Sequence, residues 1–299
     1  MEKLYSAFNI NLLSRDIELP ELISSNDGNF QVEIIKKNLK EPKETNNFNY
    51  KFENLMIRKN QLILKVKGIG DFEICEGKNI YWNNTKQNYK ESEIRAYLLG
   101  SALGALLIQR NNLVLHANSL SKGEKTIICV GNAGSGKSTL AFSLMSRGWK
   151  LISDDLVAIN NELYVLPGIP RIKLWEDAIS FYKIQRNNLE KVRSDMKKFQ
   201  LLERSTIKSV TGKSKITSIY VLNNNLNQII KDSITTEKEK YSELIQHIYR
   251  PLYVKGLKKE INYFNKLSNL IKDIPVYKLS LPRPLSKMEE WLNYNDKYL

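Results

Sequence analysis

The chain has 299 residues, 42% of them hydrophobic, and carries a formal charge of +14 from 46 Lys and Arg against 32 Asp and Glu. That size and apolar content build one or two domains with a full core and exclude a mainly disordered chain, while two cysteines (Cys75, Cys129) and two histidines (His116, His247) exclude a disulfide framework and a Cys/His zinc site. The longest apolar run, residues 96–108, is too short to span a bilayer and no signal-peptide pattern opens the chain, so a cytoplasmic protein without a membrane contact is expected.

In chain order, short apolar or alternating runs at 30–34, 62–66 and 72–74 predict strands of a small β-rich N-terminal layer within residues 1–90. Residues 39–49 are polar and carry Pro42, which predicts a loop. Between 91 and 109, Ile94, Tyr97, Leu98, Leu103, Leu106 and Leu107 recur at helical spacing and predict a buried helix. Residues 113–116, 125–130, 150–153 and 156–159 read as strands and 138–147 as a helix; this order of strand, loop, helix and strand predicts an α/β core. Further on, 216–222 predicts a strand, 242–249 and 260–271 helices, 276–281 a late strand and 282–292 a terminal cap. Charge is uneven along the chain. Residues 181–299 hold 23 basic and 12 acidic side chains, and 183–215 alone hold ten basic residues against Glu190, Asp195 and Glu203. Such a field attracts an anionic partner. No zinc-finger, basic-zipper or RNP-type motif accompanies it, so nucleic acid is not the expected one.

The densest chemical signal is Gly131-Asn132-Ala133-Gly134-Ser135-Gly136-Lys137-Ser138. Two glycines four residues apart, followed by Lys and Ser between a strand and a helix, let successive backbone N–H groups face phosphate oxygens at the positive end of the helix. In that pattern Lys137 bridges the β- and γ-phosphates, Ser138 places its hydroxyl on Mg²⁺, and Thr139 stands behind it. Asp154 and Asp155 follow at a strand end, a place suited to a magnesium ligand or to a base for a substrate hydroxyl. Taken alone, His116 fits a core histidine as well as a catalytic one.

The stretch Leu113-Val114-Leu115-His116-Ala117, the glycine loop, Arg147-Gly148-Trp149-Lys150-Leu151 and Asp154-Asp155 together resemble the HPr kinase/phosphorylase family, whose core is shared with phosphoenolpyruvate carboxykinase. The resemblance implies an α/β P-loop core of that type over residues 91–299, with ATP and Mg²⁺ as its ligands and self-association as an expectation. It also implies residue roles: Asp155 as general base, His116 and Lys137 at the transferred phosphate, Ser138 and Asp154 at the metal, and residues 131–139 around the nucleotide. Tyr97-Leu98-Leu99-Gly100, Gln109-Arg110, the run from Leu166-Pro167-Gly168-Ile169-Pro170 to Trp175, and Pro282-Arg283-Pro284 look like a narrower branch, the kinases found with ribosomally made peptides, including lasso-peptide kinases. These phosphorylate a serine of a precursor peptide. The Leu-Glu-Ile-Arg-Gly type signature of true HPr kinases is absent after the doublet.

Read from the residues alone, Pro167 and Pro170 stiffen an extended loop, and Arg171 and Lys173 alternate with Ile172 and Leu174, which puts both cations on one face of a strand. Arg171 is thereby a candidate to neutralise charge on the γ-phosphate or hold an acidic substrate, with Arg204 and Arg283 as weaker candidates. The expectation is an ATP-dependent kinase acting on a serine of a peptide, acidic or already phosphorylated. A kinase of a small hydroxylated metabolite and an ATP-sensing regulatory protein are the alternatives.

Overall fold

The computed structural model describes residues 2–39, 48–192, 196–201, 210, 212–224, 230–282 and 284–299. The chain is a mixed α/β protein with several sheets. It folds as two compact units, Met1–Val114 with Tyr249–Phe264, and Leu115–Ile248 with Asn265–Leu299. Among the described residues, no helix is long and apolar enough to cross a membrane.

The first unit is larger in strands than the three runs foreseen. Its nine-stranded sheet runs in the order Ile23–Ser24, Lys3–Ala7, Ile10–Ser14, Val32–Lys36, Asn79–Asn84, Gly70–Cys75, Gln61–Val66, Leu55–Arg58, Tyr50–Phe52. Period-two alternation sends one set of side chains inward: Phe72 lies opposite Trp82 and Ile74 opposite Ile80, all four buried. The predicted helix at 91–109 forms as Glu91–Tyr97, a π-helical segment Leu98–Ala102 and Leu103–Gln109. Gln109 ties it to the sheet, its amide donating to the Ile74 carbonyl (3.0 Å) and its Oε1 accepting from Gly77 N–H (2.7 Å). The loop expected at 39–49 falls largely on residues 40–47, outside the described residues.

In the second unit a six-stranded sheet runs in the order Lys150–Ser153, Ala117–Lys122, Lys125–Val130, Ser218–Asn224, Val276–Leu281, Ile230–Ile234. Lys125–Val130 is antiparallel to Ala117–Lys122 but parallel to Ser218–Asn224, which is parallel to Val276–Leu281. Sequence patterning does not reveal Ala117–Lys122, because Asn118 and Ser119 interrupt its apolar character, yet both are completely buried. Leu140, Ala141 and Leu144 of the helix Lys137–Ser146 join Trp149, Tyr220, Leu222 and Leu279 in one core. A three-stranded antiparallel sheet, Ile172–Trp175, Lys198–Leu201, Leu189–Lys191, completes the site-bearing framework.

The helix predicted at 242–249 instead occupies Glu237–Ile245. Thr236 caps its start, its Oγ1 accepting from Glu239 N–H (3.2 Å) and its hydroxyl donating to the Glu239 carboxylate (2.9 Å). It ends early because His247 gives its carbonyl to His116 N–H (2.8 Å), a long-range pairing that outweighs local helical spacing. The segment foreseen as a terminal cap is the helix Leu285–Asn295.

Candidate active site

Three sequence features, far apart along the chain, meet because of the register of this sheet. Ala117 pairs with Val130, so His116 stands beside Gly131 at the start of the glycine-rich loop. Ser153 pairs with Ser119, which brings Asp154 and Asp155 to the same end. The ladder slips between Ser119 and Leu120, and the resulting bulge at Ile152 re-aims the strand just before the doublet. Asp155 then takes φ +68°, a left-handed conformation that Asp tolerates better than most residues.

The loop itself depends on glycine at its ends. A Cβ on Gly131 would lie 2.5 Å from Ser135 Oγ and 2.8 Å from the Leu222 carbonyl, and Gly136 has φ +91° where the chain turns into its helix. Lys137 is mostly buried and donates to the carbonyls of Gly131 (2.7 Å) and Asn132 (3.1 Å), so its ammonium spans the loop mouth. Burial lowers its pKa, and Asp155 and then Asp154 oppose that shift. Asn118, a residue the sequence did not single out, anchors the helix start by donating to the Lys137 carbonyl at 2.5 Å. Ser135 Oγ is buried with no hydrogen-bond partner among the described residues, as expected of a loop whose polar atoms are completed by a ligand.

The two carboxylates sit in different surroundings. Asp154 accepts from Ser138 Oγ–H (3.0 Å) and from Lys173 N–H (3.0 Å). Burial, reinforced by the charge of Asp155, pushes its pKa up to about 6. Burial also acts to raise Asp155, but the ammonium groups of Lys173 and Lys198 overcome it and hold that carboxyl well below the usual range. Lys173 Nζ lies 2.8 Å from Asp155 Oδ2 and Lys198 Nζ 3.9 Å from Oδ1. His116 Nδ1 is 3.2 Å from the Asp155 carbonyl. A carbonyl only accepts, so Nδ1 carries the proton and Nε2 of the neutral ring does not. Burial lowers the His116 pKa against the opposing pull of Asp155, which keeps the ring neutral near pH 7.

His116, Ala133, Gly134, Ser135, Gly136, Lys137, Ser138, Thr139, Asp155 and Lys173 all line one cleft of about 1040 Å³. Lys198, Trp175, Phe181, Leu281, Leu285 and Met288 extend its walls. Arg171 is buried elsewhere and donates to Gln200 Oε1 (3.3 Å); the cation of that strand that lines the cleft is Lys173. Arg204 and Arg283 lie outside the described residues, as does much of the basic stretch at 183–215. Lys198 is one of the ten cations of the basic stretch and nothing in the sequence sets it apart from the others: it reaches the cleft because its strand pairs with Ile172–Trp175, placing it opposite Trp175. Among the described residues, no group of three His, Cys, Asp or Glu side chains forms a metal cage of its own. The oxygen pair of Ser138 and Asp154 has the chemistry that suits a hard cation such as Mg²⁺, which draws its remaining ligands from phosphate and water.

No protein-family model matches the chain. No curated protein matches it either. The solved structure of the Hpr(Ser) kinase/phosphatase from Coxiella burnetii is similar over 62% of this chain and 96% of that one, at 16% identity and a TM-score of 0.31. A likeness of that degree carries no functional argument, and the chemistry of the cleft stands on its own residues.

Proposed function

We propose that the protein is a Mg²⁺-ATP-dependent kinase that transfers the γ-phosphoryl group to a serine hydroxyl of a peptide, of the kind made ribosomally as a precursor. The observation that carries this reading is that one cleft holds both a glycine-rich loop with its Lys and Ser and an ionised carboxylate, Asp155, flanked by two lysines. Nucleotide binding alone needs the loop; a carboxylate held charged beside it supplies the proton acceptor that transfer to a hydroxyl uses.

The loop N–H groups and the start of the helix Lys137–Ser146 hold the phosphates. Lys137 exchanges its bonds to the loop carbonyls for phosphate oxygens. Ser138 and Asp154 would hold Mg²⁺, which supplies neutralisation of the developing phosphate charge. Asp155 accepts the serine proton as the oxygen bonds to the γ-phosphorus and the bond to the bridging oxygen breaks, releasing ADP. Lys173 keeps Asp155 oriented and charged, and the Asp155 carbonyl fixes the His116 ring at the same place. The basic character of the chain favours a peptide with acidic or phosphorylated residues.

Incubation with γ-labelled ATP and serine peptides tests this. Label on peptide serine, lost in Asp155→Asn while ATP still binds, is the expected result, and Lys137→Met weakens binding and transfer together. Tight ATP binding with no transfer to any hydroxyl would leave a nucleotide sensor instead.

A further inference from the structure

The cleft has two flanks, set by strand order. The strand leading to the acidic doublet, Lys150–Ser153, stands at one edge of the six-stranded sheet, and Val276–Leu281 stands four places away. At about 4.8 Å per strand the two are separated by roughly 19 Å. Leu281, Pro282, Leu285 and Met288 line the Val276–Leu281 flank, and Leu281 Cδ1 lies next to Gly136. The strand Ile172–Trp175 belongs to the other flank, because its Lys173 N–H donates to Asp154.

Trp175 stands two residues after Lys173 and therefore points to the same face of that strand. The residue is 46% exposed, whereas Trp82 and Trp149 are completely buried. Lys198 Nζ lies 3.9 Å from Asp155 Oδ1 and 5.8 Å from the centre of the Trp175 ring. The ring is thus no farther from the proton-accepting carboxylate than those two distances laid end to end, at most about three residues of extended peptide. Phe181 and Met196 line the same cleft. A large exposed aromatic on a cleft wall costs solvation and is covered when a ligand is seated.

We propose that Trp175 is the platform of the acceptor subsite, taking an aromatic or aliphatic side chain next to the serine that is phosphorylated. This rests on the kinase reading above. The donor's base then occupies the Leu281–Met288 flank, since the two flanks lie on opposite sides of the glycine-rich loop.

The test uses the full chain, ATP and two synthetic peptides, Gly-Phe-Ser-Gly-Gly and Gly-Gly-Ser-Gly-Gly. The wild type is expected to favour the Phe peptide in kcat/KM by about tenfold, the scale of one aromatic packing contact. Trp175→Ala should remove that preference by raising KM, with kcat and the ATP dissociation constant within about twofold of wild type. Trp175→Phe should retain most of it. A Gly-Phe-Ala-Gly-Gly peptide should shift the indole emission of the wild type, with the change lost in Trp175→Phe. A parallel loss of ATP affinity in Trp175→Ala would overturn the proposal by assigning the indole to the base, as would an unchanged peptide preference. A wild type that binds ATP yet phosphorylates neither peptide would refute the peptide-kinase reading itself.

Discussion

The two units bury their residues on different terms. In the first, the inward faces of the nine-stranded sheet are almost wholly apolar, and the buried charge is a matched pair, Arg95 Nε to Glu21 Oε1 at 2.9 Å. In the second, Lys137, Asp154 and Arg171 are buried, and Lys173 and Asp155 crowd the same sheet end. Desolvating charge is costly, so this cluster, together with the left-handed backbone of Asp155, is retained against the interest of stability. One unit spends its burial on holding together, and the other gives some of it up to keep ionised groups in reach of one another.

The sharpest way to break that contrast is Asp155→Asn. It should cut phosphoryl transfer by about 10³-fold while the ATP dissociation constant stays within about threefold, and the loss of the partner of Lys173 should lower the unfolding midpoint. Activity near the wild-type level would remove Asp155 as the proton acceptor. In the first unit, Trp82→Ala empties a fully buried position that faces Phe72 and should lower the unfolding free energy by about 3–5 kcal/mol in urea titrations. A loss under 1 kcal/mol would deny that packing there is tight. Glu21→Gln removes the carboxylate charge that lies 2.9 Å from the buried Arg95 guanidinium, and a loss of about 3 kcal/mol is expected.

Asp154→Asn has the smallest expected effect on stability and the opposite sign. Because the folded-state pKa of Asp154 is raised to about 6, above the unfolded value near 4, the folded protein holds the extra proton between those two pH values. Stability therefore falls as pH rises through that window. Asparagine abolishes the slope and should add on the order of 1–2 kcal/mol at pH 7, while Mg²⁺-dependent transfer is lost. Chemical denaturation at pH 4, 5, 6 and 7 reads the slope and the gain, and label transfer from ATP reads the loss of activity; a variant less stable than wild type at pH 7 would mean that the burial of this carboxylate is fully compensated.

Local patterns were legible where one element carries its own signal. The period-two runs at 62–66 and 72–74 became strands of the first sheet, and the helix after Gly136 forms at Lys137–Ser146. Ala117–Lys122 was not legible, since Asn118 and Ser119 look like loop residues until partners on both sides bury them. The helix foreseen at 242–249 forms earlier, at Glu237–Ile245, for a related reason: His247 gives its carbonyl to His116, more than a hundred residues away, just past its end.

By itself the sequence determined the glycine-rich loop, the Lys and Ser that follow it, the acidic doublet and the preceding histidine, because composition and short spacing specify turns and helix starts directly. Only the tertiary structure decided which other residues join them. Tertiary packing placed Lys173 in the cleft and Arg171 against Gln200, strand pairing carried Lys198 opposite Trp175, and the surrounding charges gave the two carboxylates opposite pKa shifts. Pairing between distant strands, and the burial that comes with it, is a property of the whole fold that no single segment encodes.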